Sequence, residues 1–450
     1  MGNRNFSVPS LFAHTAVLVA ALGLIVICGI AQTARAQTVS SYERESGREM
    51  LRMIKSDINK NYYDSKFRGI DLEARFKAAD EKVKQATSNG QIFGIIAQVL
   101  LDFDDSHLFF IPPPRAASIE YGLQMQMIGE RCFVSAVKPG SDAEAKGLKP
   151  GDQILSVDGF EPSRETMWKM QYYYYTLRPK PALRFVAQSP DEQPRQLDIA
   201  AKIKQGARQI DLTSNWQAVK YFLEAESEAR LNRHRFAEVG KDLVIWKMPG
   251  FDTYEDKDID ALMNKVRNHK AVILDLRGNG GGFVVMLERL LGHFIDHDVK
   301  IADLKGRKEM KPSIAKTRGG DAFKGQLVVL VDSRSGSAAE LFARVIQLEK
   351  RGVVLGDRSS GAVMQSLRYQ HEVGLETVVP YAASVTNADL IMADGKSLEH
   401  TGVIPDELVL PTGADMAAQR DPVLTRAAEL LGFKIEPEKA GALFPIEWKK

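Results

Sequence analysis

The chain has 450 residues, 44% hydrophobic and 26% charged, which are ordinary proportions for a globular protein of two to four domains. Its formal charge of +2 is matched by Arg4 and Arg35 near the N-terminus, so the rest of the chain is neutral overall. That balance excludes a polybasic surface for nucleic acid or anionic lipid, and no nucleic-acid partner is expected.

Residues 1–36 read as an export signal: Arg4, the apolar run Thr15 to Ile30, then Ala34 and Ala36 as the small residues of a cleavage site. The mature chain is expected to begin at Gln37. The run is short for a membrane span, so no stable membrane anchor is expected after cleavage. Ile27 stands where a lipoprotein site at Cys28 wants a small residue. Cys132 is then the only cysteine left, and no intramolecular disulfide can form. Export without disulfides suits a bacterial periplasm or the cell exterior.

From Tyr42 to about Leu101, apolar residues recur at three- and four-residue spacing in three stretches, broken at Arg68-Gly69 and at Ser88-Asn89-Gly90. This predicts a three-helix module over 37–114, closed by DDSHLFFIPPP. Between about 115 and 190, CFVSAV, DQILSVDG and ALRFVAQ are short β-rich runs, and AEAKGLKPGD supplies a short helix, a Gly-Leu stop and a Pro-Gly turn. The remaining span, 191–450, alternates the continuous apolar runs LVIWKM, AVILDL, LVVLV and GVVLG with the helical MLERLLGHF and AAELFARVIQLEKR. The alternation predicts an α/β core with buried strands.

Chemistry has three candidate places. In AVILDLRGNGGGF, a buried strand runs into glycines, which lets a backbone approach a ligand closely. A dinucleotide site fails on spacing, because Phe283 stands where the third glycine belongs; GKS at 395–397 fails as a phosphate loop, because Leu390 replaces the first glycine. Next, LVVLVDSRSGSAAELFARVIQ breaks a strand into a turn and restarts as a helix. Such a corner exposes a hydroxyl beside free N–H groups, and Ser333, Ser335 and Ser337 all compete for it. Ser337 with Glu340 also spells a helix-capping box. Finally, DDSH offers His107 as a base for a serine, since imidazole titrates near neutrality. His293 and His297, four apart, read as a solvated helix end rather than a metal site; no third ligand has zinc-like spacing.

In this order the pieces resemble the S41 serine peptidases, the C-terminal processing and tricorn proteases. DDSHLFF, the β-rich segment (which resembles a PDZ domain), LDLRGNGGG, DSRSGSAAELFARVIQ with VVLGDRSSGAV, and DGKSLEHTGVIPDELV carry the likeness across nearly the whole mature chain. The resemblance implies an α/β multidomain fold: the helical module, a PDZ domain, and an S41 core of crotonase/ClpP-like type ending in a C-terminal helix. The C-terminal processing branch pairs its serine with a lysine where this chain has Ala362. The tricorn branch uses a Ser-His pair, a serine at a helix start and a distant glutamate, which correspond to Ser106, His107, Ser337 and Glu399. Glu407 and Glu372 are the alternatives for the last.

The resemblance further implies oxyanion donors from Ala338, Gly280 and Gly281, and a peptide-carboxylate loop at Gly122, Leu123 and Gln124. It calls for no cofactor and no metal. Polypeptides are the expected substrates, recruited or gated by the PDZ domain, and a homo-oligomer is possible within the family. A non-catalytic peptide- or ligand-binding protein on the same fold is the rival function, because retinoid-binding relatives share this core without hydrolysing anything.

Overall fold

The apolar runs at Leu243–Lys247, Ala271–Asp275, Gln326–Val331 and Val353–Gly356 lie side by side as parallel strands. The computed structural model describes residues 39–114, 117–205, 233–252, 255–374 and 378–448, so the expected export segment lies outside the described residues. Glu407–Leu408 extends this sheet in parallel at one edge, and Arg235–Val239 closes the other in antiparallel fashion. Side chains alternate across it. Val244, Trp246, Val272, Leu274, Val329 and Val331 face the helices Val284–Phe294 and Ala338–Leu348, while Leu243, Ile245, Ile273, Val328 and Leu330 face the helix Pro422–Leu430. Both faces are therefore covered, which explains why these strands read as unbroken apolar runs.

A second sheet joins the helical module to this core. Its long strand Val379–Met392 pairs with Met364–Val373, with Val299–Lys305 and with the short Phe109–Ile111. The helices Ser41–Asn61, Leu72–Lys84 and Asn89–Leu101 bury Ile54, Ile58, Val83 and Ile96 in one cluster with Phe110, Tyr381, Ala383 and Val385 of that sheet. The end of the module is thus sewn into the core as an added strand, with Phe110 opposite Ala383. His107 stands two residues before that strand.

The β-rich segment forms an antiparallel sheet in chain order: Leu123–Ile128, Arg131–Val137, Gln153–Val157, Ala182–Gln188 and Arg195–Ala200. The expected boundary at 190 falls inside this sheet, because Arg195–Ala200 pairs with Ala182–Gln188. Leu123–Ile128 is an edge strand, and the helix Met167–Gln171 lies beside it across a cavity of about 290 Å³ lined by Met125, Met127, Met167 and Trp168. The domain docks on the core through Arg164, which is held within its own domain by the Gly129 carbonyl at 2.8 Å and donates across to Asp357 Oδ2 at 2.5 Å and to the Arg358 carbonyl at 3.0 Å.

No helix among the described residues is long and apolar enough to cross a membrane. Among those residues no group of three or more histidine, cysteine or acidic side chains could hold a metal. The reading of His293 and His297 as one solvated helix end needs correction. The helix stops at Phe294, and His293 is buried against Asp260, with Nε2 2.6 Å from Oδ1; only His297 is exposed.

Candidate active site

The turn after Gln326–Val331 separates its three serines by what each hydroxyl reaches. Ser335 is fully buried; its hydroxyl donates to the Leu276 carbonyl at 2.8 Å and accepts the Asp332 N–H at 2.9 Å, so it fastens the turn. Ser333 donates to the Met127 carbonyl at 2.5 Å, a contact to the edge strand Leu123–Ile128. Ser337 heads the helix Ala338–Leu348 with φ 52° and ψ −117°. A non-glycine residue held there is strained, as in the strand-to-helix elbows that present nucleophiles.

Glycines let the neighbouring loop close on that elbow. A Cβ on Gly281 would fall 2.7 Å from Ser337 Cβ and 2.9 Å from the Ala338 nitrogen, and its φ is +96°. Asn279, wholly buried, shapes this loop: its amide donates to the Met248 carbonyl at 3.0 Å and its oxygen accepts the Gly281 N–H at 2.9 Å. Below it, Arg277 bridges Asp275 to Asp421 with bonds of 2.7–2.9 Å. The guanidinium and Lys247 overcome the cost of burial and hold the Asp275 carboxyl well below the usual range.

The expected oxyanion donors are thereby distinguished. Gly281 N–H is already engaged by Asn279. The N–H groups of Ala338 and Gly280 have no acceptor among the described residues. Asn279 itself was invisible to pattern reasoning; its only trace in the sequence is a lone amide set among glycines.

His107 arrives from the helical module, 230 positions away. Its Nδ1 lies 2.8 Å from Ser106 Oγ, and that hydroxyl donates to Glu399 Oε2 at 2.8 Å. A serine has one hydroxyl hydrogen, and an ionised carboxylate can only accept. With that hydrogen on Glu399, Nδ1 must carry the ring proton and Nε2 keeps its lone pair. The Ser106 N–H donates to Glu399 Oε1 at 2.9 Å, fixing the carboxylate from a second side. Asp105 holds the His107 N–H at 3.0 Å and is itself anchored by the Thr386 and Tyr62 hydroxyls at 2.6 and 3.0 Å. Burial holds the His107 pKa below its ordinary 6.5, while Glu399 and Asp105 pull it upward.

Of the three glutamates considered, Glu399 meets Ser106; Glu407 pairs instead with Arg426 at 2.7 Å, and Glu372 lies in the strand Met364–Val373. The two halves are joined by the segment 359–363. Ser337 N–H donates to the Ala362 carbonyl at 2.9 Å, and the next amide, Val363 N–H, donates to Glu399 Oε2 at 2.9 Å. A cavity of about 110 Å³ opens on this segment, lined by Ser106, Trp168, Ser360, Ala362, His400 and Thr401. Gly122, Leu123 and Gln124 sit at the far end of the edge strand Leu123–Ile128 from Met127. There Gly122 accepts the Lys138 N–H at 2.8 Å and packs so closely on Ser141 that a Cβ would fall 2.3 Å from it.

Comparison with known proteins adds the context. Residues 242–409 match the model of peptidase family S41, and residues 114–171 match that of the PDZ domain. The tail-specific protease of Haemophilus influenzae is 25% identical over 374 residues, covering 78% of this chain and 51% of that protein. The putative tricorn protease homolog 2 of Streptomyces coelicolor is 30% identical over 162 residues, 36% of this chain and 13% of that protein. The carboxyl-terminal-processing protease of Synechocystis sp. is 22% identical over 393 residues, covering 83% and 84% respectively. The chain thus spans about half the length of the first of these relatives and a small part of the second. Among solved structures, mature CPAF superposes with a TM-score of 0.62 at 13% identity, over 84% of this chain and 95% of that one, a likeness of fold.

Proposed function

The chain joins a peptidase family S41 core to a PDZ domain, and from that premise we propose that it is an exported serine endopeptidase of tricorn-like mechanism acting on unfolded or partly folded polypeptides. The observation that carries this reading is the hydrogen-bonded run from His107 through Ser106 and Glu399 to Val363, whose neighbour Ala362 holds Ser337. Ser337 Oγ attacks the peptide carbonyl, and His107 Nε2 takes its proton and later returns it to the leaving amine. The Ser106 hydroxyl and Glu399 keep the ring proton on Nδ1, and the carboxylate stabilises the transient imidazolium. The oxyanion receives Ala338 N–H and Gly280 N–H; losing one such donor typically costs about 3 kcal/mol in the transition state.

Ala362 supports the histidine route over a serine–lysine dyad, since no lysine stands beside Ser337 at that position. The PDZ groove between Leu123–Ile128 and Met167–Gln171 suits an extended peptide added as a strand, and it shares Trp168 and Ser360 with the cavity at the catalytic segment. Export rests on the signal read in residues 1–36.

The test is cleavage of casein by the purified mature protein and by Ser337→Ala. The variant should fold and lose all cleavage above background, a loss of roughly 10⁶-fold. A Ser337→Ala protein that cleaves like its parent ends the peptidase reading of this site and leaves a peptide-binding protein on the same fold.

A further inference from the structure

Glu340 is a wholly buried carboxylate three residues after Ser337. It has no cationic partner within salt-bridge reach among the described residues, and four donors converge on it instead. Oε2 accepts the Ser337 N–H at 2.9 Å and the Ala362 N–H at 3.1 Å. Oε1 accepts the Ser359 hydroxyl at 2.6 Å and the Gly361 N–H at 2.7 Å. The Ser359 hydroxyl also accepts the Val403 N–H at 2.6 Å, which fixes the direction in which it donates. A carboxylate can accept all four bonds, whereas an amide would turn two of its own hydrogens toward these donors. Helix capping needs only the Ser337 bond, so the other three require another explanation.

They all lie on the segment 359–363, and that segment has a second carboxylate at its other end. Glu399 takes Val363 N–H and then both the N–H and hydroxyl of Ser106. The strap is pinned along its length: Ser360 N–H donates to the Ser335 carbonyl at 2.9 Å, and His400 N–H donates to the Gly361 carbonyl at 2.7 Å. Gly361, at φ +73°, lies so close to His400 that a Cβ would fall 2.9 Å from its carbonyl carbon. One short strap thus hangs between Glu340, on the nucleophile side, and Glu399, on the base side.

We propose that Glu340 is a positioning residue that sets the spacing of nucleophile and base, by clamping the segment 359–362 onto the Ser337 turn. It touches neither substrate nor reacting atoms; it acts through the Ser337 backbone and through the strap that braces Glu399. Burial raises its carboxyl pKa to about 7 against the pull of its four donors, a cost that helix capping alone does not repay. The inference rests on Ser337 and His107 being the reacting pair.

The experiment compares the full mature chain with Glu340→Gln and Ser359→Ala. A fluorophosphonate probe measures the rate of Ser337 labelling by intact mass, casein cleavage separates kcat from KM, and amide hydrogen exchange follows 359–363 and 105–107. Glu340→Gln should slow labelling at least about 100-fold and lower kcat in step, with KM for casein within about twofold. Exchange should accelerate at 359–363 and, through Glu399, at 105–107. Ser359→Ala removes one donor and keeps the carboxylate; a fall of about 10-fold is expected. Parent labelling rates and parent exchange in a folded Glu340→Gln overturn the proposal, and should that variant not fold, parent labelling and exchange in Ser359→Ala do so. A parent chain that the probe leaves unlabelled refutes the nucleophile instead, while exchange at 359–363 and 105–107 still decides whether Glu340 holds the strap.

Discussion

The proposed nucleophile side and the proposed base side of this site are built in opposite ways. Ser337 stands where a buried strand, a tight turn and a helix follow one another in the chain, and residues on both flanks, from Leu327 to Ile346, are packed into the core. Its strained φ is held at the corner itself, where the Ser337 N–H meets the Ala362 carbonyl and the Gly336 N–H meets the Asn279 carbonyl. His107 sits on a loop of a separate helical module and owes its place to distant residues: Glu399 beneath Ser106, and Thr386 beneath Asp105. One half is a corner that the core packs around; the other is a loop between packed elements, fastened by hydrogen bonds across about 280 to 290 positions of chain. The difference teaches where the site is vulnerable: apolar core substitutions should disturb the Ser337 corner through packing, whereas loss of Glu399, Thr386 or Asp105 should disturb the His107 loop through its hydrogen bonds.

The largest effect on the base side should come from His107→Ala. Loss of the general base is expected to lower kcat on casein by roughly 10⁴-fold, with the melting temperature almost unchanged. If base and nucleophile act as a unit, as proposed, adding Ser337→Ala to His107→Ala should cost far less than the product of the two single losses. Multiplicative losses would mean that the two residues never work together, and the contrast between the two halves would lose its functional meaning.

Glu399→Gln comes next, at about 100-fold in kcat. The glutamine oxygen can still take the Ser106 hydroxyl and Val363 N–H, so the ring tautomer is kept; the loss reflects the missing charge opposite the imidazolium and an amide NH2 turned toward the Ser106 N–H. Burial opposes that imidazolium and Glu399 favours it; removing the carboxylate therefore lowers the His107 pKa further. Ring titration by NMR should record a downward move. An upward one would show that Glu399 does not face the ring.

How much of this was legible in the sequence follows the same divide. Periodicity and turn chemistry sufficed for the buried strands, the three helices and the strand-turn-helix corner, because these depend on neighbours in the chain. They did not choose among Ser333, Ser335 and Ser337, since the deciding acceptors, Met127 and Leu276, come from other elements. Family likeness singled out Ser337 and Glu399 and marked RSSGAV as the place of a missing lysine, but it did not reveal the strap's contacts: the Ser359 hydroxyl and the Gly361 and Ala362 amides meet Glu340 across the fold. Glu340 was legible only as a helix cap, because spacing reports its own helix and not the loop packed against it. Gly281 was read as a donor; its N–H belongs to Asn279, a contact no pattern announces.

The smallest expected effect tests the nucleophile side through its stability. Glu340 has a folded pKa raised from 4.5 to about 7, with burial as the main cause. The folded state therefore holds this proton more tightly than the unfolded chain does. Its stabilising contribution is complete below about pH 4.5 and is lost as pH rises through about 7. Glutamine at this position cannot titrate, and the other ionisable groups are shared by both proteins. Between pH 5 and 8 the melting temperature of the parent should therefore fall by about 2–5 °C more than that of Glu340→Gln. Parallel curves would mean that the four donors keep Glu340 ionised throughout, so that the nucleophile side carries a permanent charge instead of a titrating one. The opposite divergence, with the parent gaining stability as pH rises, would place the carboxyl below 4.5 and make the donors, not burial, the stronger influence on this corner.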